Sequence, residues 1–159
     1  MDQVLAAFRM THEFLSGLAS DIPAERFAEM PQGLNHPAWI IGHCCFVRDS
    51  ALEMLGQATH LPPSYKNSFN MGSKITSDLA SYPTADHLNE ALTATYDRLT
   101  TAVKAVSADQ LASPNPFESL RASLPKLADM LTFLMTTHEA IHAGQLSAWR
   151  RASGYPPKF

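Results

Sequence analysis

The sequence predicts an all-α protein, a four-helix bundle with long crossover loops. Apolar residues recur at helical spacing in four long segments, and no stretch shows the sustained period-two alternation of a strand. Glycines and prolines stand at the ends of these segments, where helices commonly end. Two of the connections are long, which is typical of a bundle with crossovers.

The first two helices are predicted over residues 2–19 and 36–55. In the first, apolar side chains recur every three or four residues. In the second, Asn35 or His36 can cap the N-terminus, and Gly56 suits the end of the helix. Both helices therefore have an apolar stripe that should face the core.

The last two helices are predicted over residues 84–106 and 124–154, the latter closed by Gly154. Between the second and third helices, residues 57–82 are rich in Pro, Ser, Asn and Gly. This connection is long for a structureless loop, so we expect it to be a crossover or a segment that covers a site.

The composition limits the classes of protein that the chain can be. Its 159 residues show no break in composition, so a single domain over residues 1–159 is expected. With 12 Lys and Arg against 15 Asp and Glu, and no basic stripe, nucleic acid is not an expected partner. The N-terminus lacks the pattern of a signal peptide and no apolar run is long enough to span a membrane, so we expect a soluble, cytoplasmic protein with no membrane partner.

The two cysteines, Cys44 and Cys45, are neighbours in the chain. On a helix their side chains point about 100° apart, which is poor geometry for a mutual disulfide. We expect reduced, buried thiols.

A pair of histidines on the last predicted helix suggests a metal site. His138 and His142 are four residues apart, so both imidazoles project from one helix face and can reach one ion. Apolar residues share that face, which directs the pair inward. The alternative is that each is a core histidine hydrogen-bonded to a neighbour.

The sequence HEAIH, residues 138–142, also matches the zinc-protease signature, but the rest of the chain does not fit that class. Zinc proteases take a third ligand from downstream, and no Glu, Asp or His follows His142. His43, on the apolar face of the second helix, is therefore the expected third ligand, and His12 is a weaker rival. Gly42 and Gly144 are small enough to let the second and fourth helices approach each other, or serve packing alone.

Two polar residues beside the histidine pair have open roles. Glu139 could reach a water at the metal, or be a solvated carboxylate on the helix surface. Gln145 lies one turn after His142 and could orient that ligand, or be an amide that packs between helices.

Two segments of the chain resemble the DinB-like superfamily of metal-binding four-helix bundles: GLNHPAWIIGHCCFVRDSALEMLG and THEAIHAGQLSAWRRASGYPP. In that family, a histidine in a W-I-x-G-H pattern joins two histidines in an H-x-x-x-H-x-G-Q pattern to hold a divalent ion. The resemblance implies that His43, His138 and His142 are the metal ligands here, with zinc or nickel as the expected metal.

The resemblance also implies the kind of chemistry. Some relatives are thiol transferases or isomerases that use mycothiol or bacillithiol, and others are named as metal-dependent hydrolases. We therefore expect a metal-dependent transferase acting on a small molecule, with a low-molecular-weight thiol as cofactor, and residues 57–82 as a cover over the site. A hydrolase, a non-catalytic metal-binding bundle and, last, a protease are the alternatives. A homodimer would be compatible with the long lateral loop.

Overall fold

The computed structural model describes residues 1–158. In this part of the chain the regular secondary structure is helical, with no strand and one isolated antiparallel bridge between Pro114 and Lys126. None of its helices combines the length and the apolar character needed to cross a membrane. The helices are α1 (Asp2–Ala19), α2 (Pro37–Met54), α3 (Ser64–Phe69), α4 (Ala85–Ala105), α5 (Ala108–Ala112), α6 (Leu127–Phe133) and α7 (Glu139–Ala152), with short 3₁₀ turns at Ala24–Arg26, Pro31–Gly33, Leu79–Ser81 and Glu118–Leu120.

The four long helical segments of the bundle are α1, α2, α4 and a continuous segment that runs from α6 into α7. Helix α2 packs most extensively against α4, and α1 packs against α7. Each buries its apolar stripe; Phe8 of α1, Ile40 of α2, Leu88 of α4 and Leu146 of α7 are fully buried. The predicted all-α bundle is confirmed.

The ends of the second helix follow the sequence prediction closely. His36 is the N-cap residue, and its Nδ1 accepts a hydrogen bond from the Trp39 N–H at 3.1 Å. Pro37 occupies the first turn, where its missing N–H costs no hydrogen bond. Gly56 follows the helix with φ of 73°, a left-handed conformation that ends a helix at little cost for glycine.

The last helix differs from its prediction in two ways. It begins at Leu127 and not at Leu124, because Lys126 is the N-cap residue and its N–H donates to the Asp129 carboxylate at 2.9 Å. It also contains a π-helical turn, Leu134–His138, between α6 and α7. Such wide turns are rare and frequently lie at functional sites, and this one ends on His138.

The connection over residues 57–82 lies along α2. It contains α3 and a 3₁₀ turn, and it follows the α2 face antiparallel to the helix. Three side chains on successive turns of α2 bond to it in reverse order: His36 to the carbonyl of Thr76, Trp39 to the hydroxyl of Ser73 and His43 to the carbonyl of Phe69. The expected covering segment is thus held against the helix that carries His43.

Gly42 serves packing, the second of the two roles predicted for it. A Cβ atom at Gly42 would overlap the ring of Phe69, whereas a Cβ atom at Gly144 would meet nothing within 4 Å. The small residue on α2 therefore makes room for Phe69 of α3, and the expectation that these glycines bring the second and fourth helices together is wrong.

Candidate metal centre

The three histidines predicted as ligands lie together. His43 comes from α2, His138 ends the π turn and His142 lies on α7. The Nε2 atom of His138 is 3.1 Å from Nε2 of His43 and 3.2 Å from Nε2 of His142. One nitrogen from each ring falls within 4.8 Å of the others, and no fourth His, Cys, Asp or Glu of residues 1–158 joins the group.

The rival ligand His12 lies elsewhere. Its ring stacks on the ring of Tyr96, with centroids 4.1 Å apart and planes 9° apart, so it belongs to the contact between α1 and α4. Its distance from the group excludes it as the third ligand in this arrangement.

Hydrogen bonds on the outer side of two rings fix their tautomers. Nδ1 of His43 lies 2.6 Å from the carbonyl oxygen of Phe69, and Nδ1 of His142 lies 3.0 Å from Oε1 of Gln145. Because both partners are acceptors, each Nδ1 carries the hydrogen, and each neutral ring turns the lone pair of Nε2 toward the centre of the group. Gln145 thus contacts the ring of His142, as one of its two predicted roles requires.

Burial keeps the three rings neutral. It is the largest cause of a lowered pKa in each: the pKa of His138 falls to about 3 and that of His142 to about 4, and that of His43 is also lowered. Nearby histidines lower the pKa of His138 and His142 further, whereas the Phe69 carbonyl and the Glu139 charge partly oppose the shift at His43. Neutral imidazoles are the form that binds metal ions.

The convergence of these nitrogens suits a cation. One N–H from His138 could serve the lone pair of only one of its two neighbours, whereas a positive ion satisfies all three nitrogens. In a tetrahedral zinc site with Zn–N bonds of 2.0–2.1 Å, ligand nitrogens lie about 3.3 Å apart, close to the separations found here. Nδ1 of His138 is buried without a hydrogen-bond partner in the described chain, so this ring lacks the outer contact that orients the other two.

Glu139 faces the interior, where it pairs with Arg48. The Arg48 Nε donates to Oε1 at 2.9 Å and Nη2 donates to Oε2 at 2.8 Å, and both side chains are almost fully buried. Of the two roles predicted for Glu139, that of a solvated carboxylate is wrong, since Glu139 is 0 % exposed. In a zinc protease this carboxylate faces a water at the metal; here both of its oxygens are engaged by a guanidinium.

Sequence reasoning missed Arg48 and Trp39. Arg48 also donates to the carbonyl oxygen of Leu92 at 2.7 Å, which ties α2 to α4. The ring of Trp39 stacks on that of His43, with centroids 4.8 Å apart and planes 9° apart. The signal for Arg48 was its position five residues after His43, at the end of the apolar stretch of the second helix, matched by an acidic residue directly after His138.

Both cysteines are buried and free, as predicted. Burial raises the pKa of Cys44, and it raises the pKa of Cys45 to about 12, so both are thiols at neutral pH. Neither belongs to the histidine group.

A cleft of about 730 Å³ opens beside His43 and His138. Helix α2 forms its floor, and α3, the last helix and the turn at Glu118–Leu120 contribute its walls. Its size and its largely apolar lining are those of a small-molecule site.

A family model described as the DinB superfamily matches residues 6–146 of the chain, a range that includes all three histidines. Searches of curated proteins and of solved structures each found no match. The match spans well over half of the chain and agrees with the helical bundle described above. The chain belongs to the DinB superfamily.

Proposed function

We propose that His43, His138 and His142 bind a divalent metal ion, zinc or nickel, and that the protein is a metal-dependent transferase that joins a low-molecular-weight thiol to a small electrophile. The observation that carries the proposal is the convergence of three neutral Nε2 atoms at 3.1 and 3.2 Å beside an open cleft.

The chemistry of the ligand set supports this assignment. An ion held by three neutral imidazoles keeps its full positive charge, so it lowers the pKa of a thiol or water at its open position and supplies a nucleophile near neutral pH. The Phe69 carbonyl and Gln145 hold the imidazole protons on Nδ1, which keeps Nε2 of His43 and His142 directed at the ion.

In the proposed reaction, the thiol releases its proton to solvent and its sulfur forms a bond to an electrophilic carbon of the substrate. The leaving group departs as an anion with the electron pair of the bond that breaks, so the products are a thioether, the leaving-group anion and the proton released to solvent. The largely apolar cleft would hold the electrophile beside the sulfur.

The surroundings favour thiol transfer over hydrolysis. A hydrolase gains from a carboxylate or imidazole base near the attacking water. Glu139 is engaged by Arg48, and the carboxylate that lines the cleft, Glu53, lies about three helical turns from His43 along α2. Thiol transfer needs no such base, because an ordinary thiol pKa of about 8.5 is already within reach of neutral pH.

The number of protein ligands distinguishes an enzyme from a bundle with a structural metal. Structural zinc sites are closed by four protein ligands, whereas catalytic sites have three and an open position. In residues 1–158 the group offers three histidine ligands, and two of these histidines line the cleft. This arrangement supports the proposal that the protein is an enzyme.

Metal analysis of purified protein after dialysis against metal-free buffer tests the site. We expect close to one ion per chain in the wild type and loss of the ion in His43→Ala and His142→Ala. His87→Ala removes an exposed histidine on α4 and serves as the matched control, with the ion retained. Metal retained by His43→Ala would contradict the ligand assignment, and no metal after resupply with zinc, nickel and manganese would contradict the site.

Turnover tests the chemistry. The metal-loaded wild type is mixed with mycothiol, bacillithiol or cysteine and with 1-chloro-2,4-dinitrobenzene, and thioether formation is followed by absorbance. We expect a rate that depends on the metal and is lost in His43→Ala but kept in His87→Ala. A fully loaded protein that accelerates thioether formation with none of these thiols would contradict thiol transfer while leaving the metal site intact.

A further inference from the structure

We propose that the cleft beside the histidines binds an amphiphilic small molecule, with an extended alkyl or aryl body along α2 and a negatively charged group at the end nearest the histidines. That this molecule is a substrate rests on the proposed function, whereas its binding follows from the shape and lining of the cleft.

The cleft is elongated. Its lining on α2 extends from His43 to Met54, which are eleven residue steps apart. At 1.5 Å per residue this stretch spans about 16 Å. The opposite wall runs from His138 back to Met130 on α6, so one end of the cleft lies at the imidazoles and the other at two methionines.

The middle of the cleft is mainly apolar, with Ser50 and Ser119 as its polar side chains. Its apolar lining comes from Phe46 and Val47 on α2, from Leu134 on the last helix, and from Phe117 and Leu120 at the turn Glu118–Leu120. Phe117 is 45 % exposed and Leu120 is 39 % exposed, although both are large apolar side chains. Burial of these two side chains by an apolar ligand would be favourable, and an apolar concave lining is typical of a small-molecule site.

The end of the cleft beside the histidines carries an unpaired cation. Lys66 lines the cleft and lies one helical turn before Phe69, whose carbonyl oxygen accepts the hydrogen bond from His43, so Lys66 is closer to the histidines than Glu53 is. Lys66 makes no ion pair in residues 1–158. The acidic residue of the lining, Glu53, lies at the far end. This polarity favours a ligand whose negative charge points toward the histidines.

Calorimetric titration with straight-chain carboxylates, from butanoate to dodecanoate and each below its micelle concentration, tests the proposal on both the zinc-loaded and the metal-free protein. We expect Kd to fall about twofold to fourfold for each added CH₂ until the chain fills the cleft. The trend should be the same with and without zinc, because the apolar body contacts the protein alone.

Matched substitutions locate the ligand. Leu120 and Leu79 both lie in 3₁₀ turns and are 39 % and 37 % exposed, but only Leu120 lines the cleft. Leu120→Asp should weaken decanoate binding at least tenfold, and Leu79→Asp should change it less than twofold. Lys66→Gln should weaken decanoate severalfold but leave decan-1-ol unchanged, and Lys74→Gln, on the same connection, should affect neither.

The outcomes separate this inference from the metal site. Chain-length-dependent binding that responds to Leu120→Asp supports the inference even if metal analysis finds no ion. A metal-loaded protein whose binding is independent of chain length, or is weakened equally by the Leu79 control, overturns it. If Lys66→Gln weakens the binding of decanoate and decan-1-ol equally, the claim that Lys66 recognises a negative charge on the ligand is contradicted. A dimer that dissociates on Leu120→Asp and binds no carboxylate also overturns it, because a second copy would then cover the cleft.

Discussion

Arg48 and Glu139 form a two-pronged ion pair in the interior of the bundle, with N–O distances of 2.9 and 2.8 Å. Arg48 lies five residues after His43, and Glu139 directly follows His138. One buried contact therefore joins the two helices that supply the three imidazoles, a short distance from the imidazoles themselves. Fork-shaped pairing of this kind sets orientation as well as distance.

Glu139→Gln should destabilise the protein strongly. The substitution keeps the shape of the side chain but leaves the Arg48 guanidinium, which is 1 % exposed, without a counter-charge. Removal of one member of a buried pair costs about 3–5 kcal/mol. Urea unfolding of metal-free protein, followed by circular dichroism, measures this loss.

The double variant Arg48→Met with Glu139→Leu separates charge from positioning. With both charges removed, we expect most of the free energy of unfolding to return, while zinc affinity stays below that of the wild type because the helices are no longer held in register. A double variant that binds zinc as tightly as the wild type would show that the pair has no positioning role.

Gln145→Ala should weaken metal binding without unfolding the protein. The change leaves the Nδ1–H of His142 without its acceptor, and loss of such outer contacts typically costs 10–100-fold in metal affinity. Competition with a chromogenic zinc chelator measures Kd. Gln145→Glu keeps an acceptor oxygen and should bind zinc at least as tightly as the wild type.

Gln110→Ala is the matched control for this prediction. Gln110 is also partly buried and makes one side-chain hydrogen bond, to the Leu55 carbonyl, but it lies outside the histidine group. Its zinc affinity should equal that of the wild type. An equal loss in both variants would attribute the effect to general destabilisation.

Much of the architecture could be predicted from the sequence because it depends on local patterns. Helical periodicity and the caps at His36 and Gly56 are properties of short segments. The i, i+4 spacing of His138 and His142 places them on one helix face, and the apolar stripe around His43 points inward. Facing helices then bring the three side chains together.

The features that could not be predicted depend on contacts between distant segments. The π turn before His138 has no sequence signature of its own. The partner of Glu139 lies 91 residues earlier in the chain. Gly42 was correctly identified as a site of close approach, but only the path of residues 57–82 shows that the approaching group is Phe69.

His12 should make the protein less stable at acid pH. Burial, followed by the charge of Arg48, lowers its pKa from 6.5 to about 4. Between these values the unfolded chain binds a proton at His12 and the folded chain does not, so stability is full above pH 6.5 and falls as the pH drops toward 4. The part due to His12 is about 1 kcal/mol, because partial exposure screens the charge.

His12→Phe tests this sign. Phenylalanine keeps a flat ring against Tyr96 but cannot titrate. In metal-free buffer, the difference between the Tm of the wild type and that of the variant should shift against the wild type when the pH is lowered from 7.5 to 4.5. A Tm difference that is the same at both values would show that His12 does not take part in the acid destabilisation.

Gly42→Ala and Gly144→Ala, the same substitution on two helices, should have opposite effects. At Gly144 the added methyl group meets nothing within 4 Å, so the higher helix propensity of alanine should raise stability by about 0.5–1 kcal/mol. At Gly42 the methyl group overlaps the Phe69 ring, and overpacking of this kind costs about 1–3 kcal/mol.

Gly42→Ala should also weaken metal binding. If the Phe69 ring moves, the carbonyl oxygen of Phe69 leaves the Nδ1–H of His43, so zinc affinity should fall together with stability. Phe69→Leu is smaller at the point of overlap and, combined with Gly42→Ala, should restore part of both. Thermal unfolding and zinc competition on the wild type, the two single variants and the double variant measure the two effects. Zinc affinity that is unchanged in Gly42→Ala while stability falls would show that the Phe69 carbonyl does not control the orientation of His43.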